Sequence, residues 1–272
     1  MSYLQVLDLQ FDKYRLTTEF EENIIYGVLS DNDNVRSQFY KLLAGINNSK
    51  GSILYNNTNA FDNFEYFKNR LLIDFKNKYL KTLNINTINE TIMTRFNRSF
   101  NAKEYKEAVG DTNLRREVTI TNEYKFTELG ITLSNYCLFK GLSYKYNIID
   151  NPVINIHNSD LKKKLYSNLC LKQLNPIITI ENLVIAKEYC DRLLVIGEFE
   201  DLSIIDLKKD TFMISSDNPI LRQKIFKKED LIISINTYTK EELKYLSKNR
   251  VKYKIINLND LIKLFGGKNN EK

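Results

Sequence analysis

Apolar and polar residues alternate from Leu4 to Leu9, which predicts a strand, and the run Asn23 to Leu29 predicts a second. A polar loop, Ser30 to Asn34, comes next. Between Arg36 and Ile46 the apolar residues Phe39, Leu42, Leu43 and Ile46 fall at helical spacing, with Gly45 near the end. Strand, loop and helix in this order form the unit in which a phosphate-binding loop sits. Residues 51–55 and 71–75 read as strands, and residues 86–145 as mostly helical. Tyr146 to Asp150 reads as a short buried strand ended by Asn151 and Pro152. A helix from Ser159 to Leu174, a strand from Pro176 to Ile180, a helix from Leu183 to Tyr189 and a strand from Leu193 to Ile196 follow. Strands alternating with helices predict an α/β fold with a largely parallel, covered sheet.

From about Asp210 the pattern restarts on a smaller scale. Strands at 211–215, 231–236 and 252–257 alternate with helices at 218–226, 240–247 and 259–265. Glu242 stands three residues after Thr239, the spacing of a capping box. The reading is therefore one α/β domain over residues 1–206, with a helical insert at about 86–145, and a small α/β appendage over 207–272.

The chain has 272 residues, of which 43% are hydrophobic, enough for one such domain and an appendage. No stretch approaches the roughly 20 apolar residues of a membrane span. The start, Met1 to Gln5, lacks the basic and apolar regions of a secretory signal. Cys137, Cys170 and Cys190 are scattered, match no metal spacing, and read as buried thiols in a reducing cytoplasm. The net charge of +6 raises a nucleic-acid reading. However, the lysines are dispersed, and runs such as Lys162-Lys163-Lys164 and Lys208-Lys209 read as solvated helix faces, so no nucleic-acid partner is expected. A mildly basic surface also suits the neighbourhood of anionic lipid headgroups.

The segment Tyr26 to Gln38, running into Lys41-Leu42-Leu43-Ala44-Gly45, resembles the Walker A region of ABC-transporter ATPases. That family carries G-L-L-G-P-N-G-A-G-K-S-T before K-L-L-A-G. Gly51 to Tyr55 resembles its G-x-I-x-x strand, Ile148 to Pro152 its L-L-D-E-P Walker B segment, and Cys190-Asp191-Arg192 its C-D-R. The resemblance is collinear over residues 1–206 and implies a P-loop NTPase-like ABC ATPase fold with a helical subdomain. The tail, Asn259 to Gly267, is similar to the end of bacitracin- and lantibiotic-type ABC ATPases.

The same resemblance locates the chemistry, and most of it is replaced. A phosphate loop needs glycines for its backbone and a Lys between the phosphates. Here the glycine positions carry Ser30, Asp33 and Val35, with Asn32 between them, and a β-branched Val35 at positive φ is an outlier. Asp31 and Asp33 add negative charge; one charge about 5 Å from a phosphate costs on the order of 3 kcal/mol at an effective dielectric of about 20. Arg36 holds the Lys position, which is not a conservative change, while Ser37, the Mg²⁺-ligand position, survives. Lys76 lies near the position of the Q-loop glutamine. The signature motif maps either to Leu133-Ser134-Asn135-Tyr136-Cys137 or, with better spacing, to Thr127-Glu128-Leu129-Gly130. Asp150 could hold Mg²⁺ through water, but Asn151 stands at the catalytic Glu position, and an amide cannot accept the proton of attacking water. Glu181 holds the switch-histidine position. His157, the only histidine, falls at the D-loop and reads as structural. Phe11 and Tyr14 are candidates to stack on adenine.

Phosphoryl transfer is almost wholly positioning and charge stabilisation, and the expectation is that this chain performs none. It reads as a non-catalytic subunit that pairs with an active second ABC ATPase and a membrane permease at the inner face of a bacterial membrane. The system would export peptides or bacteriocins or confer immunity to them. No cofactor or metal is expected; ATP and Mg²⁺ enter only if the remnant site works. Two alternatives stand beside it: an asymmetric or weak ATPase that still binds ATP in a heterodimer, and a repurposed soluble regulator.

Overall fold

The computed structural model describes residues 2–48, 50–120, 124–215, 221–228 and 230–266. In chain order the elements begin β1 (Ser2–Phe11), β2 (Tyr14–Glu21), β3 (Tyr26–Ser30), α1 (Asp33–Leu43), β4 (Lys50–Tyr55), β5 (Thr58–Asn59) and α2 (Phe64–Asn69). They continue with β6 (Arg70–Asp74), α3 (Ile85–Phe96), α4 (Ala102–Asp111), a 3₁₀ turn (Leu114–Glu117), β7 (Val118–Ile120), β8 (Tyr124–Phe126) and α5 (Glu128–Gly141). Next come β9 (Tyr146–Asp150), α6 (Ser159–Leu169), a 3₁₀ turn (Lys172–Leu174), β10 (Pro176–Thr179), α7 (Leu183–Tyr189), β11 (Arg192–Ile196), β12 (Asp201–Leu202) and β13 (Ile204–Asp206). The last are β14 (Phe212–Ser215), β15 (Lys224–Lys228), β16 (Leu231–Ile235), α8 (Lys240–Lys248), β17 (Tyr253–Ile256) and α9 (Leu258–Gly266). The chain packs as two compact units, one built from Met1–Phe67 with Thr179–Lys272, the other from Lys68–Ile178.

In the first unit β1 pairs antiparallel with both β2 and β4. Its inward residues Leu4, Val6, Leu9 and Phe11 are buried, and Phe11 stacks on Phe39 of α1 at 5.3 Å between ring centroids. The register of β1 shifts near Asp8, whose φ is 47°, and Gly51 faces it with φ 89°. A Cβ on Gly51 would lie 2.1 Å from the Asp8 carbonyl oxygen, so only glycine closes this part of the sheet. β3 runs parallel to β11, and β13 pairs antiparallel with β11. α1 turns Val35, Phe39, Leu42 and Leu43 inward and ends at Gly45, whose φ is +63°. The C-terminal part is a four-stranded antiparallel sheet in the order β15-β16-β14-β17, with Met213, Leu221 and Leu246 packed together.

In the second unit β9 pairs parallel with β6 and with β10, placing Asp74 beside Asp150 in register. All five β9 residues are buried. α5 is buried along most of its length and packs against α4.

Several expectations differ from these elements. The strand β2 was not foreseen, although Tyr14, Leu16 and Phe20 are buried at strand spacing. The helical stretch 86–145 contains the β7–β8 hairpin. A helix at 218–226 is not formed: Lys224–Lys228 is a strand that pairs with β16, and 218–220 lie outside the described residues. A short apolar run such as Ile225-Phe226 suits either state, and the available β partner decides it. The capping box is present, with Thr239 and Glu242 each accepting from the other's backbone N–H. Lys208 and Lys209 sit in a turn rather than on a helix face. Gly267, the last residue of the compared tail, lies outside the described residues.

Candidate functional site

Between β3 and α1 only Asp31 and Asn32 remain outside regular structure. Helix α1 begins at Asp33, so Asp33 and Val35, two of the three glycine positions of a phosphate loop, are helical. Neither has positive φ, so the strain expected of Val35 does not arise; its side chain is buried in the core instead. Asn32 caps the helix, its Oδ1 accepting from Asn34 N at 3.1 Å and Val35 N at 3.2 Å. These are the first-turn amides that an anion at a helix N-terminus would use. Ser30 Oγ accepts from Asn32 N at 3.2 Å and stays on the local backbone. The Arg36 guanidinium is buried, 3% exposed, and meets Asp33 Oδ1 at 2.9 Å. The Lys position and a glycine position are thus joined in one ion pair. Ser37 is half-buried on the same helix.

In the second unit Asp150 ends β9 with its side chain buried, and its carbonyl accepts from Phe75 N at 3.0 Å. Asn151 follows with φ 52°, a left-handed conformation that Asn adopts cheaply. Its Nδ2 donates to Asp74 Oδ1 at 2.9 Å. Asp74 Oδ1 also accepts from Lys76 N at 3.0 Å, and its Oδ2 accepts from Asn77 Nδ2 at 3.3 Å. The carboxylate at the end of β6 therefore gathers three N–H donors, one of them the amide at the catalytic Glu position. The Lys76 side chain is exposed. Asn135 of α5 fixes the same turn from behind, its Nδ2 donating to Phe75 O at 3.1 Å and Asn77 O at 2.7 Å.

The two placements of the signature motif fall on different parts of α5. Thr127 is its N-cap, with Oγ1 accepting from Gly130 N at 2.9 Å and donating to Glu117 Oε2 at 2.7 Å. Glu128, Leu129 and Gly130 form the first turn, and a Cβ on Gly130 would lie 2.6 Å from Glu117 O. Leu133 to Cys137 lie in the helix interior and are buried. Only the Thr127 placement is at a helix N-terminus.

No protein-family model matches the sequence, and no curated protein does. Among solved structures, the chain resembles a putative ABC-transporter ATP-binding protein from Pyrococcus furiosus at 16% identity and TM-score 0.54, over 72% of this chain and 96% of that one. An ATP-binding subunit of an ABC transporter matches at 16% identity and TM-score 0.55, over 76% and 91%. The cbiO1 protein of Clostridium perfringens, part of the ABC transporter complex cbiONQ, matches at 15% identity and TM-score 0.51, over 76% and 89%. The fold is that of an ABC-transporter ATP-binding subunit.

Within this ABC ATPase fold the remaining candidates separate clearly. Glu181 is exposed in the turn between β10 and α7, just before the α7 cap Asn182, whose Oδ1 accepts from Ile185 N at 3.0 Å. His157 is exposed ahead of α6. Phe11 and Tyr14 are not available to stack on a base. Both are buried, their rings are 5.6 Å apart, and the Tyr14 hydroxyl donates to Gly197 O at 2.5 Å. The two-residue turn between β1 and β2 draws them into the core. The three cysteines are buried thiols, and among the described residues no cluster of His, Cys, Asp and Glu could hold a metal ion. Among those residues no helix is long and apolar enough to cross a membrane.

The acceptor role of Asp74 was missed in the sequence. The signal that could have found it is a carboxylate ending a strand that lies parallel to and in register with the end of β9, next to Asn151.

Proposed function

We propose that this chain is a degenerate, non-catalytic ABC ATPase-like subunit that pairs with an active ATPase and docks on a membrane permease. The observation that carries the reading is the β3–α1 turn, where Asn32 occupies the first-turn amides and Arg36 is held by Asp33. A nucleotide phosphate would have to displace both and face the added carboxylates. Asn151, given over to Asp74, offers no base for attacking water. Residues 1–206 act in this reading as the ATPase-like part and 207–272 as an appendage. Glu181, His157 and the Thr127–Gly130 turn contribute no phosphate chemistry.

A permease partner is supported by the fold, since the solved relative from Clostridium perfringens is part of a multi-subunit transporter. It is also supported by a pocket of about 540 Å³ in the second unit, with Leu71, Leu72, Ile88, Ile92, Leu138 and Leu142 in its lining and no acidic residue. Such a pocket accepts the apolar face of a short amphipathic segment. The subunit then lies at the inner face of the membrane without crossing it. The similarity of its tail to bacitracin- and lantibiotic-type ATPases directs the proposal to peptide export or immunity.

The test is purification of the full chain followed by hydrolysis and binding assays, together with co-expression with a candidate active ATPase and a candidate permease from the same genome. We expect no hydrolysis above background, no calorimetric signal with Mg-ATP, and copurification of all three chains. A turnover near ~1 s⁻¹ that disappears in Asp150→Ala overturns the non-catalytic reading. A micromolar Kd, worth about −8 kcal/mol, overturns the degenerate one.

A further inference from the structure

The second unit carries another pocket, of about 520 Å³, that none of the chemistry above uses. Leu83, Ile85 and Val109 give it an apolar lining, and Lys106, Arg115 and Arg116 contribute three cations. All three cations are exposed, no carboxylate lines the pocket, and none of the three makes a salt bridge among the described residues. Gly110 lies on the same wall, one residue before the end of α4. A Cβ added there would meet nothing within 4 Å. Glycine weakens a helix relative to alanine, and no close contact among the described residues requires it here. The bare backbone of α4 is therefore open at the rim of this pocket.

The first unit presents a shape of the opposite character. After β5, Phe61 N is held by Asn59 Oδ1 at 2.9 Å, and Asn63 Oδ1 accepts from Tyr66 N at 2.9 Å to open α2. Tyr66 is buried and donates its hydroxyl to Leu43 O at 2.7 Å, which fixes the segment to the body of the unit. Phe64 is left 80% exposed and Phe61 40%, the former the most exposed large apolar side chain among the described residues. Asp62 and Glu65 flank them, exposed and without an ion pair among those residues. An exposed aromatic ring gains by burial in an apolar pocket, and one held on an anchored segment loses little freedom on docking. A tip with two rings and two carboxylates complements an apolar pocket ringed by three cations.

We infer that the Phe61–Glu65 tip of one copy seats in the Lys106–Arg116 pocket of a second copy of this chain. The two faces differ, so the contact is heterologous: each bound copy still offers one tip or one pocket, and assembly proceeds beyond two copies unless the geometry closes a ring. The carboxylates of the tip reach the guanidinium groups at the rim, while Phe64 enters beside Gly110. This contact requires neither nucleotide nor a transporter partner.

Sedimentation velocity of the purified full chain over a range of concentrations tests it. We expect reversible association that weakens with added salt. Phe64→Ser, the paired change Arg115→Glu with Arg116→Glu, and the paired change Asp62→Lys with Glu65→Lys should each weaken it at least about tenfold. An equimolar mixture of the two charge-reversed proteins should associate again, because the altered tip then matches the altered pocket. Gly110→Ala should raise the unfolding midpoint and still weaken association, a combination that a purely structural role does not produce. A monomer at every concentration, association that all these variants retain, or failure of the mixture to recover would overturn the inference.

Discussion

Replacing Asn151 with Glu installs the residue that the resemblance expects at this position, and the structure predicts damage instead of rescue. Asn151 Nδ2 lies 2.9 Å from Asp74 Oδ1. The substitution removes a hydrogen bond to a charged acceptor, worth about 1.5–3 kcal/mol. It also sets two carboxylates face to face; at ~4 Å and an effective dielectric of ~20 their repulsion is about 4 kcal/mol. The left-handed backbone at φ 52° adds about 1 kcal/mol for a residue other than Asn or Gly. Rotation of the new side chain toward solvent relieves part of this, because neither residue is fully buried, which leaves a net loss of about 3 kcal/mol.

Urea unfolding at neutral pH reads that loss directly. The companion variant Asp74→Asn with Asn151→Glu removes the repulsion and should recover about half of it, so a double-mutant cycle isolates the pair. The pH dependence has a definite sign. Repulsion raises the folded-state pKa of the variant's carboxyl pair above the unfolded value, so that contribution to stability is present below about pH 4 and is lost as the pH rises through the raised value. The variant should therefore lie nearest to wild type in acid. An Asn151→Glu protein as stable as wild type at pH 7, or one that gains ATP hydrolysis, refutes the reasoning.

Asp210 gives a second pH-linked test: burial, opposed by its hydrogen bond from Asp206 N and reinforced by the Asp206 charge, holds its carboxyl above the usual carboxylate range. A raised acid stabilises below its unfolded value and loses that contribution as pH rises through the folded one. Asp210→Asn should thus be more stable than wild type at pH 7 and lose the advantage below about pH 4, as followed by thermal unfolding. Gly130→Ala drives a Cβ to 2.6 Å from Glu117 O and should cost about 1–3 kcal/mol in urea unfolding. Cys137, buried and pushed up to about 12, should resist alkylation in the folded protein at pH 8 and react in denaturant. The triple change Asp33→Gly, Val35→Gly and Arg36→Lys restores two of the three glycine positions and the Lys, yet it breaks the Arg36–Asp33 ion pair and places two glycines in α1. It should lose at least about 2 kcal/mol from helix propensity alone, with no recovery of the unfolding midpoint on adding Mg-ATP; a rise in the midpoint would favour the asymmetric-ATPase alternative.

The order of elements was legible because the parallel strands of this fold are continuous apolar runs. Ile148-Ile149 and Leu193 to Ile196 can hardly lie anywhere but in a covered sheet, and the structure buries all of them. β2 alternates like a strand, with Tyr14, Leu16 and Phe20 inward, but Thr18 at the remaining inward position interrupts its apolar set. The β7–β8 hairpin is short and carries little apolar burial, so nothing in the pattern separates it from the helices around it. The replaced residues at the site could be read one by one, but their partners could not. That Asn151 donates to Asp74, or that Phe11 turns into the core against Phe39, depends on strand register and turn length, which sequence spacing does not fix.

Those partners bear on how the replacements can be reversed. Removing Asp33 would cost the buried Arg36 guanidinium one of its partners, while removing Arg36 would leave an acidic first turn unfavourable to an incoming phosphate, so neither change is neutral alone. Asn151 and Asp74 stand in the same relation, since a carboxylate at 151 is acceptable only if the one at 74 is removed. Thr127 bridges Glu117 and the first turn of α5, and Gly130 is required by the same Glu117 backbone, so the glycine there answers to packing independently of any phosphate. A site that had merely lost its ligand would leave polar groups facing space. Here Arg36 pairs with Asp33 and Asn151 with Asp74, so a change at one member of either pair alters the surroundings of the other.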